Sequence, residues 1–261
     1  MRIISLSPEH EPLYCACLED WSDEIKEAGD HKAEWLRKMG ARGLRVKLAL
    51  DDEGVVGGMI QYVPVEESFV DGQALYFVHC IWVHGHKQGR GNFQKKGMGT
   101  ALLEAAEKDA RELGAKGMAA WGMALPVFMR ASWFKKHGYK KADSLGMQIL
   151  LWKPFAEDAA PPRWIRNKKK PEPVPGRVAV TALVNGWCPG MNTAFERAKR
   201  AASEFGDRVE FRAVDTFDHE VFREWGEADA IFVDGKGIRM GPPPSYDKIR
   251  KTIARRVKKL G

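Results

Sequence analysis

Apolar residues follow two rhythms along this chain. Runs rich in β-branched and aromatic residues occupy 2–6, 45–51, 55–65, 74–84, 116–122, 139–144 and 147–153, and predict strands. Between them, apolar residues recur every three or four positions near 10–20, 31–39, 99–113 and 127–137, the spacing of one helical face. The clearest case is Leu102, Leu103, Ala106, Ala110 and Leu113, with charges between them and Gly114 as the stop. The most apolar strand is ALYFVHCIWVH at 74–84, which has the composition of a central strand. Its neighbour, GVVGGMIQYVPV, carries glycines that predict a bulge or a close packing contact.

The rhythm breaks at 156–177, AEDAAPPRWIRNKKKPEPVPGR, which holds five of the 14 prolines and reads as a stiff, basic linker. It then restarts with a strand (178–184), a helix (190–204), a strand (209–214), a short helix (219–225), a glycine-turned hairpin (230–240) and a terminal basic helix. The predicted organisation is a first domain over 1–155, a linker over 156–177 and a smaller α/β domain over 178–261, and the length of 261 residues agrees with two domains.

Composition changes this picture little. Hydrophobic residues are 44% and aromatics 10%, enough for packed cores. The net charge of +7 is concentrated in 163–170, with five basic residues, and 248–259, with seven and no acid. In the latter, Ile249, Ile253, Val257 and Leu260 form one apolar stripe, so the charges read as its solvated face and nucleic acid is not an expected partner. No stretch has membrane-spanning length and the N-terminus lacks a signal-peptide pattern, so a cytoplasmic protein without membrane contact is expected. Cys15, Cys17, Cys80 and Cys188 have no disulfide or zinc spacing, and no metal site is expected.

The chemistry begins at GRGNFQKKGMGT, a glycine-rich basic loop running into the 99–113 helix. Helix N-termini attract anions through their unsatisfied N–H groups, and glycine lets the backbone approach a ligand. The Walker A spacing fails because Met98 follows Gly97 where lysine is required, and the dinucleotide spacing fails at Leu102. Gln94-Lys95-Lys96-Gly97-Met98-Gly99, followed by Thr100, fits Gln/Arg-x-x-Gly-x-Gly/Ala. Between a strand and an amphipathic helix, this resembles the acetyl-CoA signature of the GNAT N-acetyltransferase superfamily.

The resemblance implies an α/β fold, a GNAT mixed β-sheet flanked by helices. It also implies acetyl-CoA as co-substrate and direct N-acetylation of a small-molecule amine. Gln94, Lys95, Lys96, Gly97, Met98, Gly99 and Thr100 would line the pyrophosphate, and the backbone of Ile81, Trp82 and Val83 would meet the thioester. Two positions depart from the family: Phe134 stands where a tyrosine acid is common, and Val127 where an asparagine is expected. Base candidates are His79, His84, His86, Glu66 and Glu67, with His84 favoured for its place at the end of the strand beside the loop. Trp82, Trp121 and Trp133 suit either cleft walls or core, and Gly85–Phe93 either a lid or a surface insertion.

The β-α-β-α-β-β-α order of the second domain resembles thioredoxin, with Trp187-Cys188-Pro189 at the reactive-cysteine position, and the whole arrangement resembles YoaP-type acetyltransferases. Cys188 at a helix N-terminus is expected to be nucleophilic with a lowered pKa. Met191 replaces a resolving thiol, and Glu227-Ala228-Asp229 lacks the partner proline, so dithiol reduction is not expected. Two rival readings stay open at this stage: a non-catalytic acetyl-CoA-binding module and a thiol-linked oxidoreductase using Cys188. A homodimer is among the assemblies the sequence allows.

Overall fold

The computed structural model describes residues 1–125, 128–166 and 169–260. The chain divides into two compact units, Met1–Trp21 with Arg37–Ile165, and Ser22–Leu36 with Arg166–Gly261. The elements in order are β1 (Arg2–Ser5), α1 (Glu11–Cys15), α2 (Asp23–Lys26), α3 (His31–Gly40), β2 (Arg45–Leu50), β3 (Val56–Pro64), β4 (Val70–Asp71), β5 (Leu75–Val83), α4 (Met98–Glu112) and β6 (Gly117–Met123). There follow α5 (Ala131–Lys136), β7 (Lys140–Leu145), β8 (Gln148–Pro154), β9 (Arg163–Trp164), β10 (Val178–Val184), α6 (Pro189–Ser203), β11 (Val209–Asp215), α7 (His219–Trp225), β12 (Ala230–Val233), β13 (Lys236–Gly237) and α8 (Tyr246–Val257).

The first unit is built on a seven-stranded sheet in the order β1-β2-β3-β5-β6-β8-β7. Only β5 and β6 run parallel; every other neighbouring pair is antiparallel. The helix spacing of α4 explains its packing: Leu102, Leu103, Ala106 and Ala110 are buried against Ile60, Tyr62 and Val78 of the sheet. Each buried leucine contributes roughly 1.5–3 kcal/mol. Asp109, on the same helix, receives a bidentate pair from Arg45 at 2.9 and 2.8 Å, Lys47 at 3.0 Å and the buried Tyr62 hydroxyl at 2.7 Å. These groups hold the Asp109 carboxyl well below the usual carboxylate range despite its burial. They also fix α4, and hence its N-terminus, to β2 and β3.

Within the stretch expected as a linker, residues 163–164 form β9 and pair antiparallel with β4, and Trp164 and Ile165 are buried in the first unit. Paired backbone and a buried indole hold this part of the stretch against the first unit.

The second unit has a four-stranded sheet, β11-β10-β12-β13, with β10 and β11 parallel and the other pairs antiparallel. α6 and α8 cover it through Ala194, Ala198, Ala201, Ile249, Ile253 and Val257. Residues 22–36, early in the chain, belong here because α6 carries their partners. Arg197 reaches Glu24 at 2.9 Å and Glu27 at 2.8 Å, Arg200 reaches Glu27 at 2.8 Å, and His31 lies 2.8 Å from Glu196. Hydrogen bonds from Arg197 and Arg200 lower the Glu27 carboxyl to about 2. No role for these acids is legible from the sequence, because a charge on a short helix reads as solvated until its partner is known.

No helix among the described residues is long and apolar enough to cross a membrane.

Candidate active site

β5 and β6 hydrogen-bond in parallel from Leu75 opposite Gly117 to Val78 opposite Ala120, and part beyond that point. β5 nevertheless stays paired with β3 as far as Val83, and β6 with β8 as far as Met123. A gap therefore opens between 79–83 and 121–123. The departure coincides with a bulge in β5: Gln61 faces Cys80 and Tyr62 faces Val78, leaving His79 unopposed on β3.

Strand alternation then decides which backbone groups face the gap. The Ile81 N–H points away from β3 and reaches the Met129 sulfur at 3.4 Å, a weak acceptor. The Val83 carbonyl takes the Gln94 side-chain amide at 3.4 Å, and the His79 carbonyl takes the Trp121 indole N–H at 2.8 Å. The backbone of Trp82 lies between those of Ile81 and Val83 and so faces β3. Of the three residues expected to meet the thioester through backbone groups, Ile81 and Val83 are suitably turned and Trp82 is not; Trp82 supplies a side chain instead.

The glycine-rich loop ends at Gly97, which takes φ 83° as the N-cap of α4, a left-handed conformation that favours glycine. No side chain caps this helix and no acid occupies its first turn, so its leading N–H groups are free of competing carboxylates. A Cβ built on Gly97 meets nothing within 4 Å, whereas one on Gly99 would stand 3.4 Å from the Trp133 ring and 3.8 Å from Val83. The loop, the end of β5 and Trp133 thus border one cradle, and an anionic group of pyrophosphate size and charge fits its donors.

Lys95, at φ 62°, and Lys96 are exposed, and the Lys96 ammonium lies 5.4 Å from the Phe93 ring centroid. The Met98 side chain is buried in the core, so only its backbone faces a ligand. Gln94 turns back onto Val83, fastening loop to strand, and its side chain is not aimed at the cradle. Thr100 pairs with His137 at 3.0 Å. His137 Nδ1–H donates to the Trp133 carbonyl at 2.9 Å and the two rings lie 4.2 Å apart, which fixes the indole over the loop.

His84 differs from the expectation of a base. It is fully buried, its Nδ1–H donates to the Gly91 carbonyl at 2.7 Å, and its Nε2 accepts from the Trp21 indole at 3.1 Å. The lone pair a base needs is already occupied. His84 also closes the root of the 85–93 loop, its N–H donating to Gly57 and its carbonyl accepting from Phe93, both at 2.9 Å. It is an anchor. His79 is buried between Phe69 and Phe77, with ring centroids at 4.6 and 5.3 Å. His86 alone among the three strand-end histidines is open, 54% exposed, with Nε2 3.9 Å from the Glu19 carboxylate. Glu66 and Glu67 lie in a short 3-10 turn, and Glu67 pairs with Arg42 at 3.2 Å.

Phe134 is fully buried in the core, edge-on to Tyr139 at 5.5 Å, so this position supplies no acid. Val127 lies outside the described residues.

In the second unit Cys188 caps α6, yet burial pushes its thiol up, outweighing the lowering by the Met191 and Gly190 N–H groups. The expected activation fails because the N–H groups act in an environment that disfavours the thiolate more than they favour it. Asp229 accepts from the Trp187 indole at 2.8 Å and the Asn185 N–H at 3.2 Å, but burial still raises its carboxyl to about 6. That neighbouring acid raises the thiol further.

Sequence reasoning missed Trp21, Met129 and His137. Trp21 stands in a segment without apolar period, Met129 falls in the stretch expected as helix at 127–137 but precedes α5, and His137 looked like a helix-end residue with no visible partner.

No curated protein matches the chain in sequence. Among solved structures, the GNAT family N-acetyltransferase YhbS from Escherichia coli, in complex with CoA, is 18% identical over 60% of this chain and 82% of its own, with a TM-score of 0.43. A GNAT family acetyltransferase from Brucella melitensis in complex with acetyl-CoA is 17% identical over 62% of this chain and 94% of its own, at 0.41. The PaiA N-acetyltransferase from Thermoplasma acidophilum in complex with coenzyme A is 17% identical over 59% and 99%, at 0.43. Residues 8–139, half of the chain, match the acetyltransferase (GNAT) family, and the chain belongs to that family.

Proposed function

We propose that the first unit is an acetyl-CoA-dependent N-acetyltransferase that passes the acetyl group directly to a small amine. Acetyl-CoA is the co-substrate that membership of the family implies; it supplies an activated acetyl thioester. The observation that carries the reading is the alignment of two backbone donor sets at one gap: the uncapped N-terminus of α4 and the Ile81 N–H, whose partner among the described residues is a thioether. The first suits the pyrophosphate. The second can exchange sulfur for a carbonyl oxygen with little loss and so stabilise charge that develops there. Gln94 and His84 hold loop and strand in that arrangement.

Nothing in this scheme requires an acid at position 134, since a thiol with an ordinary pKa near 8.5 can leave as thiolate. The sheet order of the second unit, with Cys188 opening α6, supports the thioredoxin-like reading, while its raised thiol disfavours the oxidoreductase alternative. An accessory role suits it better. The test is thermal denaturation with acetyl-CoA: at about 100-fold excess over Kd the gain is roughly 2.7 kcal/mol. A first-unit transition unmoved by millimolar acetyl-CoA would rule the function out. A clear shift without CoA release from any amine would select the non-catalytic binding alternative.

A further inference from the structure

Five rings stand in file beside the gap. The Trp21 centroid lies 6.1 Å from His86, His86 lies 6.4 Å from Trp82, Trp82 lies 5.9 Å from Phe128, and Phe128 lies 6.0 Å from Trp121. The last of these is hydrogen-bonded to the His79 carbonyl at the bulge, so the file ends where β5 and β6 part. None of these rings is fully buried: Trp21 is 38% and Phe128 41% exposed, and Trp82 and Trp121 are partly open, Trp121 with one side on the core. Among the described residues the buried Trp82 indole N–H has no acceptor. At the outer end of the file the Glu19 carboxylate lies 3.9 Å from His86. A solvent-facing aromatic wall that leads to a reaction site, with a carboxylate at its mouth, matches a cationic ligand that also carries a flat apolar group.

Resting on the acetyltransferase reading, we infer that the acceptor is a primary amine carrying an aromatic ring on a short alkyl arm. Its ring lies against Trp82 and Phe128, and Glu19 attracts its ammonium form. His86, exposed beside Glu19 at the outer end of the file, takes the proton as the ammonium enters, and the neutral amine moves inward to the gap before it attacks. The amine nitrogen then forms a bond to the acetyl carbon as the carbon–sulfur bond breaks. The bonding pair leaves with sulfur, and the second nitrogen proton passes to solvent. The products are the aryl-alkyl amide and CoA.

The test uses the full chain and release of CoA thiol with tryptamine, 2-phenylethylamine, butylamine, spermidine and kanamycin. Expected are kcat/KM values for both aryl amines at least about 10-fold above butylamine, the lower end of what an apolar pocket discriminates. Phe128→Ala and Trp82→Leu should each raise KM for the aryl amines about 10-fold, with KM for acetyl-CoA within about twofold of the parent. Phe128 is largely exposed, so its variant keeps the test meaningful if Trp82→Leu melts early. Preference for spermidine or kanamycin, or an aryl preference that survives both substitutions, overturns the inference and leaves the acetyltransferase reading intact. Absence of CoA release from every amine overturns it too. Absence of any acetyl-CoA thermal shift removes the underlying reading with it.

Discussion

Replacement of His84 by alanine separates an anchor from a base. The ring is fully buried, and both nitrogens are used, at 2.7 Å to the Gly91 carbonyl and 3.1 Å from Trp21. Removing it forfeits two hydrogen bonds worth about 1 kcal/mol each, and opens a cavity that adds on the order of 1–2 kcal/mol. Trp21 is 38% exposed and can turn to water, so its share is the smaller. The sum is about 2–4 kcal/mol, which for a unit of this size lowers Tm by roughly 5–15 °C. Part of the loss should be local, because the 85–93 loop closes on this ring. Trypsin should then cut the variant faster at Lys87, which lies exposed in the loop.

The decisive assay is the pH profile of kcat/KM, measured below the melting range of the variant. A base lost from the mechanism costs most at low pH, where the amine is protonated, and least at high pH, where it deprotonates unaided. A lost anchor lowers activity by the same factor throughout. The expected result is a uniform loss together with the lower Tm and faster tryptic cleavage. A deficit confined to low pH with an unchanged Tm would refute the anchor reading and restore His84 as base.

Gly97→Val should abolish the thermal shift caused by acetyl-CoA. Its side chain meets open space in the protein, so the intrinsic cost is that of a left-handed residue, about 1–2 kcal/mol, visible as a small drop in the Tm of the free protein. Phe134→Tyr places a hydroxyl in a fully buried cluster of edge-on rings and should cost about 1–3 kcal/mol in denaturant titration, with no rise in kcat. A rise in kcat would mean the ring reaches the site. Asp229, raised in the fold to about 6, contributes stability that is fully present below its unfolded pKa near 3.9 and lost as pH rises through 6. Asp229→Asn should therefore stabilise the second unit at pH 7 by about 1–2 kcal/mol and leave it unchanged or weaker at pH 3.5; a neutral-pH loss would contradict the sign.

Much of the scaffold was legible because its signals are periodic. The strand expected at 74–84, the helix from 99 and the glycine stop at 114 need no tertiary partner to be recognised. β4 and β9 escaped, since two-residue strands have no period and each exists only through the other. At the site the same division holds. Gly97 and Gly99 advertise a backbone cradle, because glycine is the residue that such geometry demands. Residues 22–36 are counted with the second unit through Arg197, a relation between positions far apart that no local pattern encodes. His84 was misread for the same reason: its position beside the loop was visible, but the indole of Trp21 and the carbonyl of Gly91 were not.

The cofactor end and the acceptor end of the gap thus rest on different materials, and this bears on the missing acid. Backbone donors at Ile81 and the α4 terminus tolerate almost any side chain, which is why a GNAT signature survives with Phe134 at a usual tyrosine position. With Phe134 committed to the core and His84 to the loop, the exposed His86, beside Glu19 at the outer end of the ring file, is the proton acceptor that the acceptor reading uses. A site so equipped handles the proton of the amine and leaves that of the thiol to solvent. Its pH dependence should rise through one deprotonation on the acid side and show no fall on the alkaline side until the thermal stability of the chain gives way. A bell-shaped profile with an alkaline limb in the stable range would show that a general acid acts here after all, and would direct attention to Tyr139, whose buried ring stands edge-on to Phe134.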